Sequence, residues 1–115
     1  MISQRGAPHA LAREDRLACV PFVAPGFDGT RGTPIKTVRP RLQGETYDSM
    51  WQGAIQASPS IITVTTYNEW REGSQIEPAQ PFCPPNQGLC YADYSGDYGV
   101  TGTVAMSVYL AHTAA

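Results

Sequence analysis

The apolar residues in the first half of the chain form two short runs that predict β-strands. Residues 18–23 are mostly apolar and are followed at 24–32 by a stretch rich in Pro, Gly and Asp, which predicts a strand and then a turn. Residues 61–66, IITVTT, are almost wholly β-branched and do not alternate apolar with polar residues. Because such a run is typical of a strand covered on both faces, we expect it to be a central strand of a parallel sheet.

Apolar positions between these two runs follow a helical period. Asp48 favours the first turn, where the helix dipole is positive, and Pro59 stops the helix after Ser58. The pattern therefore predicts a helix over residues 46–58. We interpret Trp51 on its apolar side as core packing against neighbouring helices, not as a platform for a sugar ring. The apolar stripe recurs at steps of three and four and consists of Tyr47, Met50, Trp51, Ala54, Ile55 and Ser58.

A second helical pattern closes the chain at residues 103–115. Thr103 is a candidate N-cap, and Val104, Val108 and Ala111 lie along one side. The order strand, helix, strand, helix is the signature of right-handed crossovers in a parallel sheet. Two such strands leave unpaired edges, so we expect an α/β chain that is the end of a larger protein.

Composition restricts the class of protein. With 115 residues, 42% hydrophobic and 16% charged, the sequence is that of one globular unit. A net charge of -2 with eight Lys and Arg offers no basic stripe, so nucleic acid is not an expected partner. The first twenty residues lack the apolar core of a signal peptide, and no stretch has the roughly 18 apolar residues of a membrane span.

Three cysteines leave at least one of them unpaired. Cys83 and Cys90 lie close together across a loop rich in Pro and Gly, and Cys19 sits in the apolar stretch ACVPFV. Our hypothesis is a Cys83–Cys90 disulfide formed in an oxidising compartment, with Cys19 a buried thiol. Two separate free cysteines at 83 and 90 remain the alternative.

Unusually dense polar and aromatic chemistry follows the second predicted strand, in TYNEWREGSQIEP at residues 66–78. If the loop begins to coil at its Asn, the spacing of three places Glu69 and Glu72 on one side. Trp70 and Tyr67 offer flat apolar faces suited to a sugar ring, and Asn68 offers a donor and an acceptor for its hydroxyls. This combination suggests general acid/base catalysis on a glycosidic bond. The alternative is that both Glu residues are solvated loop charges.

Other motifs do not support a cofactor. Residues 93–99 begin like a calcium loop, but Tyr98 stands at the position of its Gly and Val104 at the position of its bidentate Glu. His9 and His112 match no zinc spacing with the cysteines. No dinucleotide fingerprint, phosphate-binding loop or nucleophile elbow occurs. We therefore expect neither a metal nor a nucleotide cofactor.

Several blocks of the sequence, in order, resemble glycoside hydrolase family 99, the endo-α-mannosidases and endo-α-mannanases. YNEWREGSQIEPA resembles the family's NEW-x-EGTQIE signature, and APGFDGTR at 24–31 is similar to its PGYDDTR segment. Residues 47–70 look like its helix and final strand, and CYADYSGDYG is similar to a Tyr-x-Asp-Tyr stretch downstream. The likeness covers most of residues 20–110, which makes it far more specific than a single short motif.

This resemblance implies a (β/α)8 TIM barrel, of which residues 1–115 are the C-terminal part, about the last two β/α units. It implies cleavage of α-mannosidic bonds within a glycan, with retention of configuration and without a metal. By motif match, Glu69 is the base that deprotonates the sugar 2-hydroxyl, and Glu72 is the general acid that protonates the leaving oxygen. Arg71 stands where a His or small residue is common, and Ser74 replaces a Thr.

The resemblance also suggests Asp28 and Arg31 as substrate contacts, with a local ion pair that holds the loop as the alternative. We expect Glu77, which precedes Pro78, to face solvent, with a place in the lining of the same site as the alternative. The implied substrate is α-mannan or another mannose-containing glycan, and the parent protein is expected to be secreted or to lie in the secretory pathway. The family's substrate-binding groups on earlier loops have no counterpart in these residues, so we expect the isolated fragment to be inactive.

Two other functions stay open at this point. One is a non-catalytic carbohydrate-binding remnant that keeps Trp70 and Tyr67 without turning over substrate. The other is a truncated product of a glycosidase gene that does not fold alone.

Overall fold

The computed structural model describes residues 19–30, 34, 36–86, 88 and 90–115. These residues form four two-residue strands and three helices, together with 3-10 turns at Leu42–Gly44 and Asp97–Gly99. The strands are β1 (Phe22–Val23), β2 (Phe27–Asp28), β3 (Val38–Arg39) and β4 (Thr63–Val64), and the helices are α1 (Glu45–Gln56), α2 (Gly102–Met106) and α3 (Val108–Ala114).

Strands β1 and β4 pair in parallel, as the sequence predicts. Phe22 lies opposite Thr63 and Val23 lies opposite Val64. The ladder continues one step further, where the Thr65 N–H donates to the Val23 carbonyl at 2.8 Å. The intervening helix α1 packs against β1. Two parallel strands are therefore connected through a helix, as in a β/α unit, with β2 and β3 inserted between β1 and α1.

The prediction that residues 61–66 are covered on both faces is wrong for the described chain. Burial alternates along this segment: Ile61, Thr63 and Thr65 are exposed, whereas Ile62 and Val64 pack against the core. Only one face is covered, because the described residues supply a core on one side of this two-stranded sheet.

Strands β2 and β3 form an antiparallel pair that the sequence pattern did not predict. Phe27 lies opposite Arg39, and the Gly29 N–H donates to the Thr37 carbonyl at 2.8 Å. Gly26 permits the close approach at the start of β2, since its φ is 144° and a Cβ there would lie 2.7 Å from the Arg39 carbonyl oxygen.

Helix α1 matches its prediction closely, although it ends two residues early. Glu45 and Asp48 lie in its first turn. Ser58 adopts a left-handed φ of 49° ahead of Pro59, so the helix gives way at Ala57. Ile55 is 61% exposed, which places it off the buried side.

Trp51, on the same helix, packs against the core as predicted. Its ring meets the ring of Tyr47 edge-on at 6.0 Å.

The C-terminal segment differs from the single predicted helix. It breaks at Ser107 into α2 and α3, and Thr101 rather than Thr103 is the N-cap of α2. Val104 and Ala111 are exposed, while Val108 is buried together with Ala105 and Tyr109, which the predicted stripe omitted. The break resets the helical phase, so steps of three and four counted across it do not share a face.

The core is built around Tyr109. Its ring meets the rings of Tyr47, Tyr94 and Tyr98 edge to face, with centroids 5.6, 4.9 and 5.5 Å away. The remaining buried apolar residues of the cluster are Val23, Ala54, Ile76, Ala79 and Val108. Among the residues that the structure describes, no helix has the length and apolar character needed to cross a membrane.

The structure confirms the predicted disulfide between Cys83 and Cys90. Cys19 is free, as predicted, but it is only half-buried. The disulfide closes a short loop whose flanking residues also pair, since the Tyr91 N–H donates to the Phe82 carbonyl at 3.0 Å.

Candidate active site

The candidate site is the loop that leaves β4, at residues 66–77. Its base is closed by Thr66 and Ser74, whose main chains hydrogen-bond at 3.1 Å and whose hydroxyls lie 2.8 Å apart. The N–H groups of Ile76 and Glu77 both donate to the Tyr67 carbonyl at 3.0 Å. The two ends of the loop are thus hydrogen-bonded to each other. A loop held in this way on a rigid scaffold is suited to a binding site.

The tip of this loop coils, which meets the condition under which the spacing of three places both carboxylates on one side. The Gly73 N–H donates to the Trp70 carbonyl at 3.0 Å, and the Ser74 N–H donates to the Glu69 carbonyl at 3.2 Å. Gly73 closes the turn in the left-handed region, at φ 65°, where a residue with a Cβ is disfavoured. A second support comes from the Thr66 hydroxyl, which accepts the Glu69 N–H at 3.3 Å.

The structure brings Glu69 and Glu72 to one open depression with a volume of about 420 Å³. Glu69 is exposed and Glu72 is half-buried. Asn68, Trp70 and Arg71 complete the lining. Two carboxylates, an amide and an indole therefore share one concave surface, and this set of groups can bind a sugar and move protons to and from it.

The other predicted substrate contacts are Tyr67, Asp28 and Arg31. Tyr67 is 52% exposed and does not line this depression. Asp28 lies at a separate hollow of about 160 Å³, although its main-chain N–H donates to the Glu72 carbonyl at 2.6 Å. Its carboxylate accepts a 3.0 Å bond from the Thr30 N–H within its own turn. Arg31 lies outside the described residues.

Trp70 is fixed by contacts on two sides. Its indole N–H donates to Oε1 of Glu77 at 2.6 Å, and its ring meets that of Tyr91 at 5.6 Å in an edge arrangement. Glu77 is half-buried. The prediction that Glu77 faces solvent is therefore wrong, because the carboxylate turns back along the loop to accept the indole N–H.

Arg41 is the main structural residue of the site that the sequence pattern did not indicate. Its Nη2 donates to the carbonyls of Gly73 and Gln75 at 2.9 and 2.8 Å. Its guanidinium lies over the rings of Tyr94 and Tyr109, with centroids 5.0 and 4.6 Å away. In the sequence it is one basic residue in PRLQG, and its partners are main-chain carbonyls that no motif reveals.

Tyr94 holds the second limb of the loop. Its hydroxyl donates to the carbonyls of Gln75 and Glu77 at 3.1 and 2.8 Å, and burial raises the pKa of this phenol well above its ordinary value. Burial also raises the pKa of the Asp97 carboxyl, against the opposing effect of the hydroxyl hydrogen bond from Tyr109.

Among the described residues, no three His, Cys, Asp or Glu side chains form a group that could hold a metal ion.

Comparison with known proteins gives the family to which the chain belongs. The model of glycosyl hydrolase family 99 matches residues 8–111. The chain belongs to glycosyl hydrolase family 99, a glycosidase family, as the resemblance predicts. The α/β architecture of the described residues accords with that family.

Two relatives illustrate the match. The "Glycoprotein endo-alpha-1,2-mannosidase" of Rattus norvegicus is 36% identical over 87 residues, which cover 74% of this chain and 18% of the relative. The "Glycoprotein endo-alpha-1,2-mannosidase-like protein" of Danio rerio is 39% identical over 74 residues, 63% of this chain and 17% of the relative. The chain therefore spans less than a fifth of the length of these relatives.

The solved GH99 endo-alpha-mannosidase from Bacteroides thetaiotaomicron superposes with a TM-score of 0.81 at 33% identity, covering 99% of this chain and 31% of that structure. A second structure of that enzyme, in complex with BIS-TRIS-Propane, gives a TM-score of 0.79.

Proposed function

We propose that the protein is a retaining, endo-acting α-mannosidase in which Glu69 and Glu72 are the catalytic pair. The observation that carries this proposal is that both carboxylates line one depression, on a coiled loop that directly follows a parallel strand. Membership of a glycosidase family and the mannosidase names of the relatives support the choice of substrate.

In the proposed first step, the sugar 2-hydroxyl gives its proton to the Glu69 carboxylate while its oxygen attacks C1. The bond between C1 and the leaving oxygen breaks, and Glu72 protonates that oxygen. The product on the enzyme is a 1,2-anhydro sugar. In the second step Glu72 takes a proton from water, whose oxygen attacks C1, and Glu69 returns its proton to O2. Two inversions at C1 give net retention, as in other double-displacement glycosidases.

We propose the neighbouring groups as substrate contacts. Trp70 would supply an apolar face to a mannose ring, and Asn68 would bond its hydroxyls. Tyr67, within the loop, and Asp28, beside it, do not line the depression, so we place them at more distant parts of the glycan. For Arg31 the family resemblance is the sole basis on which we propose a substrate contact.

We further propose that residues 1–115 form the C-terminal part of a (β/α)8 catalytic barrel, about its last two units. The parallel pair β1 and β4 with α1 between them in sequence supports this. A mannose-containing glycan as substrate and a location in the secretory pathway go with this proposal, and the Cys83–Cys90 disulfide favours such an oxidising compartment.

The test is a proton NMR time course with an α-mannan oligosaccharide and the protein as its gene encodes it. We expect products from internal cleavage, with the new reducing end appearing first as the α-anomer. The β-anomer appearing first would overturn retention, and release of single terminal mannoses would overturn the endo action. Tight binding without products would favour the carbohydrate-binding alternative over the enzyme.

A further inference from the structure

We propose that Arg41 is a positioning residue that fixes the main chain around Glu72 and thereby aims that carboxyl at the leaving oxygen. The assignment of Glu72 as the acid rests on the proposed function. The claim that Arg41 holds the loop does not, and it is tested separately below.

Arg41 reaches the loop immediately after Glu72. Both hydrogen bonds from its Nη2 end on carbonyls that flank Ser74, those of Gly73 and Gln75, at 2.9 and 2.8 Å. Hydrogen bonds from a charged donor are stronger than neutral ones. These two bonds therefore restrain the peptide planes of the Gly73 and Gln75 carbonyls, where the loop turns back.

The opposite side of the same segment is held by β2. The Asp28 N–H donates to the Glu72 carbonyl at 2.6 Å. Consecutive carbonyls of Glu72 and Gly73 are thus held by different parts of the molecule, β2 and Arg41. With both fixed, the direction of the Glu72 Cα–Cβ bond is set, so the side chain leaves the main chain at the depression that it lines.

The Arg41 guanidinium is held against two aromatic rings that are themselves fixed. The rings of Tyr94 and Tyr109 that lie against it are each anchored by their hydroxyls, that of Tyr94 on Gln75 and Glu77 and that of Tyr109 on Asp97 at 2.6 Å. The Arg41 carbonyl also accepts the N–H groups of Gly44 and Thr46 at the start of α1. Arg41 therefore ties the loop to the core and to a helix at once.

Lysine cannot reproduce this arrangement. A planar guanidinium can lie against aromatic faces while its N–H groups reach two carbonyls, whereas an ammonium is a compact point charge that does not stack in this way. Two Arg41 nitrogens, Nε and Nη1, are buried and have no hydrogen-bond partner among the described residues. The hydrogen bonds from the Arg41 side chain to main-chain carbonyls both come from Nη2, and both go to this loop. Arg41→Lys thus keeps the charge and removes the geometry.

The first test compares two substrates with Arg41→Lys. For an α-mannan oligosaccharide, whose leaving oxygen needs a proton, we expect kcat to fall about 100-fold with KM nearly unchanged, because small misplacements of a catalytic group cost this much. For a dinitrophenyl α-mannobioside, whose leaving group departs without a proton, we expect near wild-type kcat/KM, because this ratio reports the first step and not the later activation of water by Glu72. Equal losses of kcat/KM on both substrates would overturn the positioning role and indicate a general structural one.

The second test needs no activity. Hydrogen exchange of the Gly73, Ser74 and Asp28 amides should be faster in Arg41→Lys than in the wild type, and unchanged exchange would overturn the proposal. Arg39→Lys, an exposed arginine on β3, is the matched control for the exchange measurement and should leave the exchange of these amides unchanged. Arg41→Gln, which keeps a donor without the charge, replaces Arg41→Lys in both tests if the latter does not fold. Wild-type protein that cleaves no α-mannoside would refute the proposed function while the exchange result still decides the role of Arg41.

Discussion

The indole N–H of Trp70 donates a 2.6 Å hydrogen bond to Oε1 of Glu77, across the loop that carries both candidate catalytic carboxylates. Trp70 sits between Glu69 and Glu72 in sequence and lines the same depression. The bond therefore holds an aromatic face at a set angle beside the two carboxylates. Neither residue alone would suggest this arrangement.

Removing the acceptor should loosen Trp70. We expect Glu77→Ala to lower the free energy of unfolding by about 1–2 kcal/mol, at the lower end for a bond to a charged group because Glu77 is only half-buried. Glu77→Gln should cost less than half as much, since its amide oxygen still accepts the indole N–H. Urea unfolding followed by Trp70 fluorescence, in a Trp51→Phe background, measures both. Equal losses for the two variants would contradict the account.

Two glycines should respond to alanine with opposite signs. Gly73 has φ 65° and a Cβ there meets only ordinary contacts at 3.7 Å, so Gly73→Ala should cost about 1–2 kcal/mol from backbone strain alone. Gly53 lies within α1 with nothing within 4 Å of a Cβ, so Gly53→Ala should add about 0.5–1 kcal/mol of stability. Thermal unfolding of each variant beside the wild type provides the comparison. Stabilisation by Gly73→Ala would show that the turn is not left-handed.

The tyrosine cluster predicts a loss of stability at high pH. Burial raises the pKa values of Tyr94, Tyr98 and Tyr109 above that of an unfolded phenol, about 10. The folded state then holds these protons more tightly, so its stability is fully present below about pH 10 and falls as the pH rises further.

Urea unfolding at about pH 9 and about pH 11 measures this loss. Tyr109→Phe should reduce the difference between the two, because it removes one of the titrating groups. A stability that does not change over this range would contradict the burial of these phenols.

Strong periodicity explains which parts of the fold were predictable. Helix α1 has an apolar stripe several turns long, and β4 lies in a β-branched run, so both were located within a few residues. Strands β2 and β3 have two residues each, too few to show a period of two. The break at Ser107 was missed because no Pro or Gly marks it in the sequence.

The residues of the candidate site also differ in how far the sequence could indicate them. Glu69, Trp70 and Glu72 were found because they lie within four consecutive positions after a predicted strand. Arg41 was not, because its partners are main-chain carbonyls 32 and 34 residues away, and a carbonyl leaves no trace in residue identity. Glu77 was located but given the wrong environment, since its side-chain direction depends on the turn at Gly73.

The central claim, that this pair of carboxylates performs the cleavage, is tested most directly by Glu69→Gln and Glu72→Gln in the protein as its gene encodes it. Each variant keeps the size and shape of its side chain, but an NH2 group replaces one carboxylate oxygen and the side chain cannot carry the proton. Glu45→Gln, an exposed carboxylate at the start of α1, is the matched control.

The measurement is the initial rate of reducing-end release from an α-mannan oligosaccharide, with circular dichroism to check the fold. We predict a loss of at least about 100-fold for each of the two site variants, with native spectra and a wild-type rate for the control. A wild-type rate in either Glu69→Gln or Glu72→Gln would contradict the account.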